Sequence, residues 1–163
     1  AASDVYKRQN YGSDYKYHHV YKGQNSRLDE LQAAFLAAKL PHLDAMNAER
    51  RRIAARYLAE MHNPAVTLPA ELPDCTHVWH IFAVRCADRN ALEKHLNARG
   101  IGTNKHYPTP IHLQGAYAEL GLGRGALPLA EEISATELSL PMFYGMTDAQ
   151  VQAVIDAVNE FEG

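Results

Sequence analysis

The segment NKHYPTPIHLQ, residues 104–114, concentrates side chains that are able to do chemistry. His106 and Tyr107 lie where a predicted strand ends, and two prolines stiffen the turn that leads to His112. Rigid turns at strand ends are common positions for binding sites, because prolines reduce the entropy lost when polar groups are held against a ligand. The alternative is a structural turn with an incidental histidine, and the spacing alone does not decide between the two.

A second candidate is the run YKYHHVYKGQNSR, residues 15–27, which places aromatic rings and histidines directly before a predicted helix. Aromatic faces stack on sugar rings or bases, and Asn, His and Arg side chains bind hydroxyl or phosphate oxygens. Asn25 and Ser26 lie at the predicted start of that helix, where backbone N–H groups favour an anion. The alternative is that both residues are ordinary helix caps and that Arg27 is a surface charge.

Two weaker candidates involve metal ions. His77 and His80 lie three residues apart in a predicted strand, where their side chains point to opposite faces and cannot reach one ion. A metal-dependent hydrolase that uses His106 and His112 would need a nearby pattern of carboxylate ligands, which the sequence does not show. We therefore expect no metal site.

The elements that position these residues begin with a long helical arm. Apolar residues recur at helical spacing from Leu28 to Met61, and Pro41 is expected to kink or end the helix. Asn25 or Ser26 is the expected cap. The elements that follow begin with a strand at 76–86, a helix that starts at Asp88 or Asn90 and ends at Arg99, and a strand at 101–107. They continue with helices at 114–120 and 129–136, a short strand or extended segment at 137–143 and a helix after Thr147. This order predicts an α+β fold, in which helices cover one face of a small, mainly antiparallel sheet.

Composition limits the classes of partner. The formal net charge of −3 argues against nucleic acid, because phosphate binding usually requires an excess of basic residues. No apolar run approaches the length of a membrane span and no signal peptide is visible, so we expect a cytoplasmic protein with no membrane partner. Residues 1–9, AASDVYKRQ, show no periodicity and are expected to be a non-native tag or an adaptor-derived segment.

Four separated segments resemble, in the same order, the C-terminal part of the DegT/DnrJ/EryC/StrS family. They are residues 10–40, 77–86, 99–117 and 130–147. Members of this family are pyridoxal-phosphate-dependent nucleotide-sugar aminotransferases, and the chain looks most like those that aminate dTDP-linked 3-keto-6-deoxyhexoses. The resemblance implies the small C-terminal domain of the fold-type I, or aspartate aminotransferase-like, architecture. Residues 10–62 would border the active site and form the interdomain helix, and residues 63–163 would form the small domain.

The resemblance also implies roles for individual residues. Asn25 would reach the phosphate of pyridoxal 5'-phosphate in the neighbouring subunit of a homodimer. The residues expected to bind the substrate are His106, Tyr107, Tyr17, His18, His19 and Arg27. The substrates of the intact parent would be a keto-sugar nucleotide and an amino donor such as glutamate.

One feature of the family is expected to be missing. The lysine that forms the Schiff base lies upstream of the NYGS segment in the family, so we expect this chain to be a fragment that lacks it and is inactive alone. No residue of the chain is then assigned a catalytic role. The alternative is a non-catalytic domain that binds a small ligand or acts in regulation.

Overall fold

The chain forms two structural units, residues 1–43 and 44–163. The computed structural model describes residues 13–15, 18–19 and 28–163. In the first unit, strand β1 (Ser13–Tyr15) pairs antiparallel with strand β2 (His18–His19).

The first unit also contains helix α1, which spans Glu30–Lys39. Its N-cap is Asp29, whose side chain accepts a hydrogen bond from the backbone N–H of Leu31 at 3.0 Å. The prediction that Asn25 or Ser26 caps this helix is therefore wrong, because the extended backbone of Asp29 separates both residues from its first turn. A 3₁₀ turn at Leu40–His42 follows α1, and it contains Pro41 as the sequence predicts.

Helix α2, Leu43–Glu60, continues into the second unit and supplies part of its core. Ile53, Ala54 and Tyr57 are buried and share one helical face. The Tyr57 hydroxyl donates a hydrogen bond to the carbonyl of Pro141 at 3.0 Å. Burial raises the pKa of Tyr57 above the usual range of a phenol, because the charged form would lose its hydration.

A three-stranded sheet forms the centre of the second unit. Its strands are β3 (Val66–Thr67), β4 (Phe82–Cys86) and β5 (Glu137–Leu140), in the order β3-β4-β5. Both pairings are antiparallel, which confirms the predicted sheet type. Beyond β5, Asn104 forms a single antiparallel bridge with Ser139.

Two predicted strands are shorter than expected. Trp79 has a positive φ of 49°, and its N–H donates to the Nδ1 atom of His77, so the extended chain begins only at Phe82. The predicted strand at 101–107 is reduced to the bridge at Asn104. The Asn104 side chain accepts the next backbone N–H, that of Lys105, at 2.9 Å, which removes this donor from the ladder.

Three helices complete the second unit, namely α3 (Arg89–Ala98), α4 (Pro128–Thr136) and α5 (Asp148–Asn159). Asp88 caps α3, and Thr147 caps α5 through a capping box with Gln150. These starts agree with the sequence, because Asp and Thr side chains accept the unpaired N–H groups of a first turn. The predicted helix at 114–120 is a 3₁₀ segment, Gly115–Leu120, which follows a 3₁₀ turn at Ile111–Leu113.

The core lies where α2, α3 and α5 supply apolar side chains beside the sheet. Alternate residues of β4, namely Phe82, Val84 and Cys86, are buried in it. The other large side chains that are fully buried are Tyr57, Ile53, Leu92, Leu96, Leu138, Ile155, Val151 and Val158. In the part of the chain that the structure describes, no helix is both long enough and apolar enough to cross a membrane.

Candidate functional site

The candidate site is built around His106, which follows the bridge between Asn104 and Ser139 at the edge of β5. Strand β5 contributes Glu137 and Ser139, whose side chains share one face because they are two residues apart. Both residues are polar but buried, with exposed fractions of 4% and 5%. Buried polar side chains in a core strand usually have specific hydrogen-bond partners, and here the partner is His106.

Four hydrogen bonds connect this cluster. The backbone N–H of His106 donates to Glu137 Oε2 at 2.8 Å, and the imidazole Nδ1 lies 2.8 Å from Ser139 Oγ. The Ser139 hydroxyl donates in turn to Glu137 Oε1. On the other side of the ring, Nε2 lies 3.1 Å from Asn104 Nδ2. The imidazole is therefore held on both nitrogens, by strand β5 on one side and by its own segment on the other.

The segment that carries His106 is also attached to helix α3. Lys105 Nζ lies 2.5 Å from Glu93 Oε2, and both side chains are partly buried. An ion pair of this kind restricts the backbone next to His106.

His106 borders a depression of about 260 Å³ beside the sheet. The other residues around it are His80, Ile81, Gly102, Thr103, Asn104, Ser139, Leu140, Pro141 and Met142. A histidine fixed at the edge of a depression can exchange a hydrogen bond with a polar ligand without first losing rotamer freedom.

Tyr107 follows His106 through a cis peptide bond, and the two rings meet edge to face with centroids 5.5 Å apart. Its side chain is 72% exposed and borders a different depression, of about 660 Å³. The walls of this second depression are Pro108, Thr109, Pro110, Ile111, His112, Gln114, Leu127, Ala130, Ile133 and Ser134. His106 and Tyr107 are thus adjacent, but they border two separate depressions.

His112 is buried next to the second depression and is hydrogen-bonded to Glu131, with Nε2 and Oε1 3.0 Å apart. The same oxygen accepts the backbone N–H of Gly125 at 2.8 Å and, more weakly, that of Leu127 at 3.4 Å. The hydrogen bond from His112, supported by those backbone N–H groups, lowers the pKa of Glu131. Glu131 therefore connects helix α4 to the proline-rich turn and to the glycine-rich loop at 121–127.

Of the predicted site residues, His106 and Tyr107 are neighbours in the second unit. His18 and His19 form β2, which belongs to the first unit. Asn25, Tyr17 and Arg27 lie outside the described residues. The binding roles given to these seven residues stay predictions.

Sequence reasoning missed Glu137, Ser139 and Glu131. The signal for the first two is the pattern ELSL, because a carboxylate and a hydroxyl on one face of a strand that is otherwise apolar need buried partners. For Glu131 no comparable signal exists, since acidic residues are ordinary in the first turn of a helix.

The two histidine pairs considered as metal ligands contact other groups of the chain. His77 and His80 lie outside β4, and His77 accepts the Trp79 N–H at 2.8 Å. The His106 imidazole contacts Ser139 and Asn104, whereas the His112 imidazole contacts Glu131. Within residues 13–15, 18–19 and 28–163, no three His, Cys, Asp or Glu side chains are grouped so that they could hold a metal ion.

Comparison with known proteins gives a consistent result. The profile of the DegT/DnrJ/EryC1/StrS aminotransferase family matches residues 2–159. The dTDP-3-amino-3,4,6-trideoxy-alpha-D-glucose transaminase of Streptomyces venezuelae is 48% identical over 94% of this chain and 41% of its own length. The erythromycin biosynthesis sensory transduction protein EryC1 of Saccharopolyspora erythraea is 49% identical over 82% of this chain and 37% of its own length.

Comparison with solved structures also finds a close structural match. The crystal structure of S. venezuelae DesV in complex with a ketimine intermediate superposes with a TM-score of 0.92 and 47% identity. The match covers 98% of this chain and 43% of DesV. The chain thus spans about two fifths of the length of the relatives that it matches, 41% and 37% for the two curated proteins.

Proposed function

The chain belongs to the DegT/DnrJ/EryC1/StrS aminotransferase family, and we propose that it forms part of an enzyme that transfers an amino group to a keto-sugar nucleotide. The observation that carries the proposal is the 48% identity to the S. venezuelae transaminase, sustained over 94% of the chain. That relative is named for a dTDP-linked amino sugar. The proposed substrates are therefore a dTDP-linked keto-deoxyhexose and an amino donor such as glutamate.

The proposal extends to architecture and assembly. The chain would be the small C-terminal domain of a fold-type I enzyme, with residues 10–62 at the active-site border and 63–163 forming the domain. The enzyme would act as a homodimer in the cytoplasm. The TM-score of 0.92 to DesV supports the architecture, because the superposition covers 98% of this chain.

His106 and Tyr107 are the described residues proposed to contact the sugar nucleotide. The His106 imidazole is held on both nitrogens, at 2.8 Å from Ser139 and 3.1 Å from Asn104, which favours a defined geometry at a ligand. The Tyr107 side chain is largely exposed, so its ring and hydroxyl are accessible to a second part of the same ligand.

Pyridoxal phosphate is the proposed cofactor, which supplies an electron sink when it is bound through a lysine. The contact assigned to its phosphate is Asn25, which lies outside the described residues. No described residue is therefore given a cofactor role. The reactive lysine of the intact enzyme would lie in the part of the family fold that precedes the NYGS segment.

A chimeric enzyme tests the proposed function. Residues 10–163 replace the corresponding C-terminal segment of the S. venezuelae transaminase, and the product of a dTDP-linked keto sugar and glutamate is measured by mass spectrometry. We expect the amino sugar to form, and we expect His106→Ala to reduce kcat/KM by about tenfold or more, as loss of a substrate hydrogen bond does. A folded chimera that binds the cofactor but forms no amino sugar would contradict the proposal.

A regulatory role is the second candidate, because one relative is named a sensory transduction protein. A regulator that reads DNA should bind it at low salt, where phosphate contacts are strongest. The net charge of −3 makes such binding unfavourable for this chain. Titration of the chain with fluorescent duplex DNA at low salt distinguishes the candidates, since saturable binding would favour regulation.

A further inference from the structure

The side chains of Glu137 and Ser139 determine which nitrogen of His106 carries the proton. Ser139 has a single hydroxyl hydrogen, and it donates that hydrogen to Glu137 Oε1. Its oxygen is then left to accept the hydrogen bond from His106 Nδ1, 2.8 Å away. Glu137 Oε2 also accepts the backbone N–H of His106 at 2.8 Å, so the carboxylate is connected to His106 both directly and through the Ser139 hydroxyl.

The contacts of Nε2, on the other side of the imidazole, independently place the proton on Nδ1. Asn104 Oδ1 accepts the backbone N–H of Lys105 at 2.9 Å, which fixes the orientation of the Asn104 amide. The Asn104 NH₂ group therefore faces His106 Nε2, 3.1 Å away. An NH₂ group can only donate, so Nε2 must present a lone pair.

We propose that Glu137 and Ser139 are positioning residues that hold neutral His106 as the Nδ1–H tautomer, so that its Nε2 atom accepts a hydrogen bond from a sugar hydroxyl. The identity of the ligand rests on the proposed function, whereas the tautomer rests only on the hydrogen bonds of the chain. Phosphate oxygens need a donor, so a His106 with a lone pair on Nε2 selects a hydroxyl in preference to the diphosphate. Asn104 occupies Nε2 until the hydroxyl replaces it.

The exposure of the groups agrees with this division of roles. Glu137 and Ser139 are buried, whereas Asn104 is exposed and His106 is half-buried. The buried carboxylate and hydroxyl orient the ring, and the exposed amide can leave it. The contacts are made between residues 31 and 33 positions apart, so they depend on the folded strand edge.

Nitrogen NMR of the full chain, labelled with ¹⁵N at its histidines, tests the tautomer directly. We expect His106 to show a protonated Nδ1 and an unprotonated Nε2. His95 provides an internal control of the opposite kind, because its Nε2 lies 2.8 Å from the carbonyl of Ala157 and must donate to it. A His106 spectrum that matches the His95 pattern would overturn the proposal.

Variants then assign the effect to the named residues. Ser139→Ala removes the acceptor at Nδ1, and Asn104→Asp places an acceptor at Nε2; we expect both to increase the fraction of the Nε2–H tautomer of His106, while His95 is unchanged. Ser139→Thr keeps the hydroxyl and should retain the original tautomer. If Ser139→Ala does not fold, Glu137→Gln is the second variant that disrupts the hydrogen bonds from Glu137 through Ser139 to His106. A tautomer that stays the same in the folded Ser139→Ala and Asn104→Asp chains would refute the role of these partners.

The chimeric enzyme tests the role in ligand recognition. We expect Ser139→Ala and Asn104→Asp to lower kcat/KM by at least about tenfold, the effect of one lost hydrogen bond to substrate, with rescue by Ser139→Thr. A changed tautomer with unchanged kcat/KM would overturn the hydroxyl contact. An inactive chimera whose chain still shows the Nδ1–H tautomer would contradict the proposed function and leave the positioning role supported.

Discussion

At the scale of single residues, Glu131 joins three segments through one carboxylate oxygen. That oxygen accepts hydrogen bonds from His112 Nε2 and from the backbone N–H groups of Gly125 and Leu127. Without this acceptor, the donors of the loop and the buried imidazole would have to find water or stay unpaired. The geometry next to Tyr107 therefore depends on the ionised form of one side chain.

Acid should weaken this connection, and the expected sign follows from the lowered pKa of Glu131. A carboxyl whose pKa is lower in the folded chain stabilises it above the unfolded value of 4.5, and this contribution is lost as the pH falls through the folded pKa. We expect Glu131→Gln to reduce the free energy of unfolding at pH 7 and to flatten its dependence on pH below about 4.5. Denaturant unfolding at a series of pH values measures both effects.

Glu132→Gln is the matched control for that experiment. Glu132 is the next residue of α4, and its exposed side chain pairs with Arg85. Exposed ion pairs contribute little to stability, so this variant should behave like the parent chain. Equal effects of the two substitutions would refute the special role of Glu131.

At the scale of elements, the helices are predictable because their caps are local. Asp88 and Thr147 each lie a few residues from the N–H groups that they bind. The sequence therefore predicts the start of α5 at Thr147 and limits the start of α3 to Asp88 or Asn90. The strands are less predictable, because β-branched and aromatic composition does not reveal the left-handed backbone of Trp79. That conformation is supported by the contacts of Trp79 with His77 and Phe82, which exist only in the folded chain.

The candidate site, too, is predictable from the sequence only where its residues are close together in the chain. His106 and Tyr107 are recognisable because a polar, ring-bearing pair precedes a proline at the end of an extended segment. Their partners are not recognisable from sequence spacing, because Ser139 lies 33 positions from His106. The predicted cap at Asn25 or Ser26 fails for a related reason, since Asp29 is an equally good N-cap residue three or four positions later.

The capping box of α5 gives a test at this scale. Thr147 Oγ1 accepts the N–H of Gln150 at 3.2 Å, and the Gln150 side chain accepts the N–H of Thr147 at 2.9 Å. We expect Thr147→Ala to lower the free energy of unfolding by about 1 kcal/mol, because the first turn loses an acceptor. Thr147→Ser keeps the hydroxyl and should lose much less. Urea unfolding measures the difference as a shift of the midpoint, provided that the slope of the unfolding free energy against urea concentration is the same in all variants. Equal losses in the two variants would contradict a capping role.

At the scale of the whole molecule, apolar side chains remain exposed on helix α1. Leu31 and Phe35 lie four residues apart on one helical face, and they are 70% and 68% exposed. None of the ten described residues of α1 is buried. A continuous apolar face of this kind usually marks an interaction surface, and the proposed homodimer offers a second copy of the chain as its partner.

Removal of this face should therefore change self-association more than folding. Sedimentation velocity over a range of concentrations should show dimers for the parent chain and monomers for the double variant Leu31→Glu, Phe35→Glu, because charges on the apolar face would have to be desolvated at the interface. Gln32→Glu adds a charge to another position of α1 and is the matched control, which should still dimerise. Circular dichroism verifies that α1 remains helical. A double variant that still forms dimers, as the control does, would show that helix α1 does not form the dimer contact.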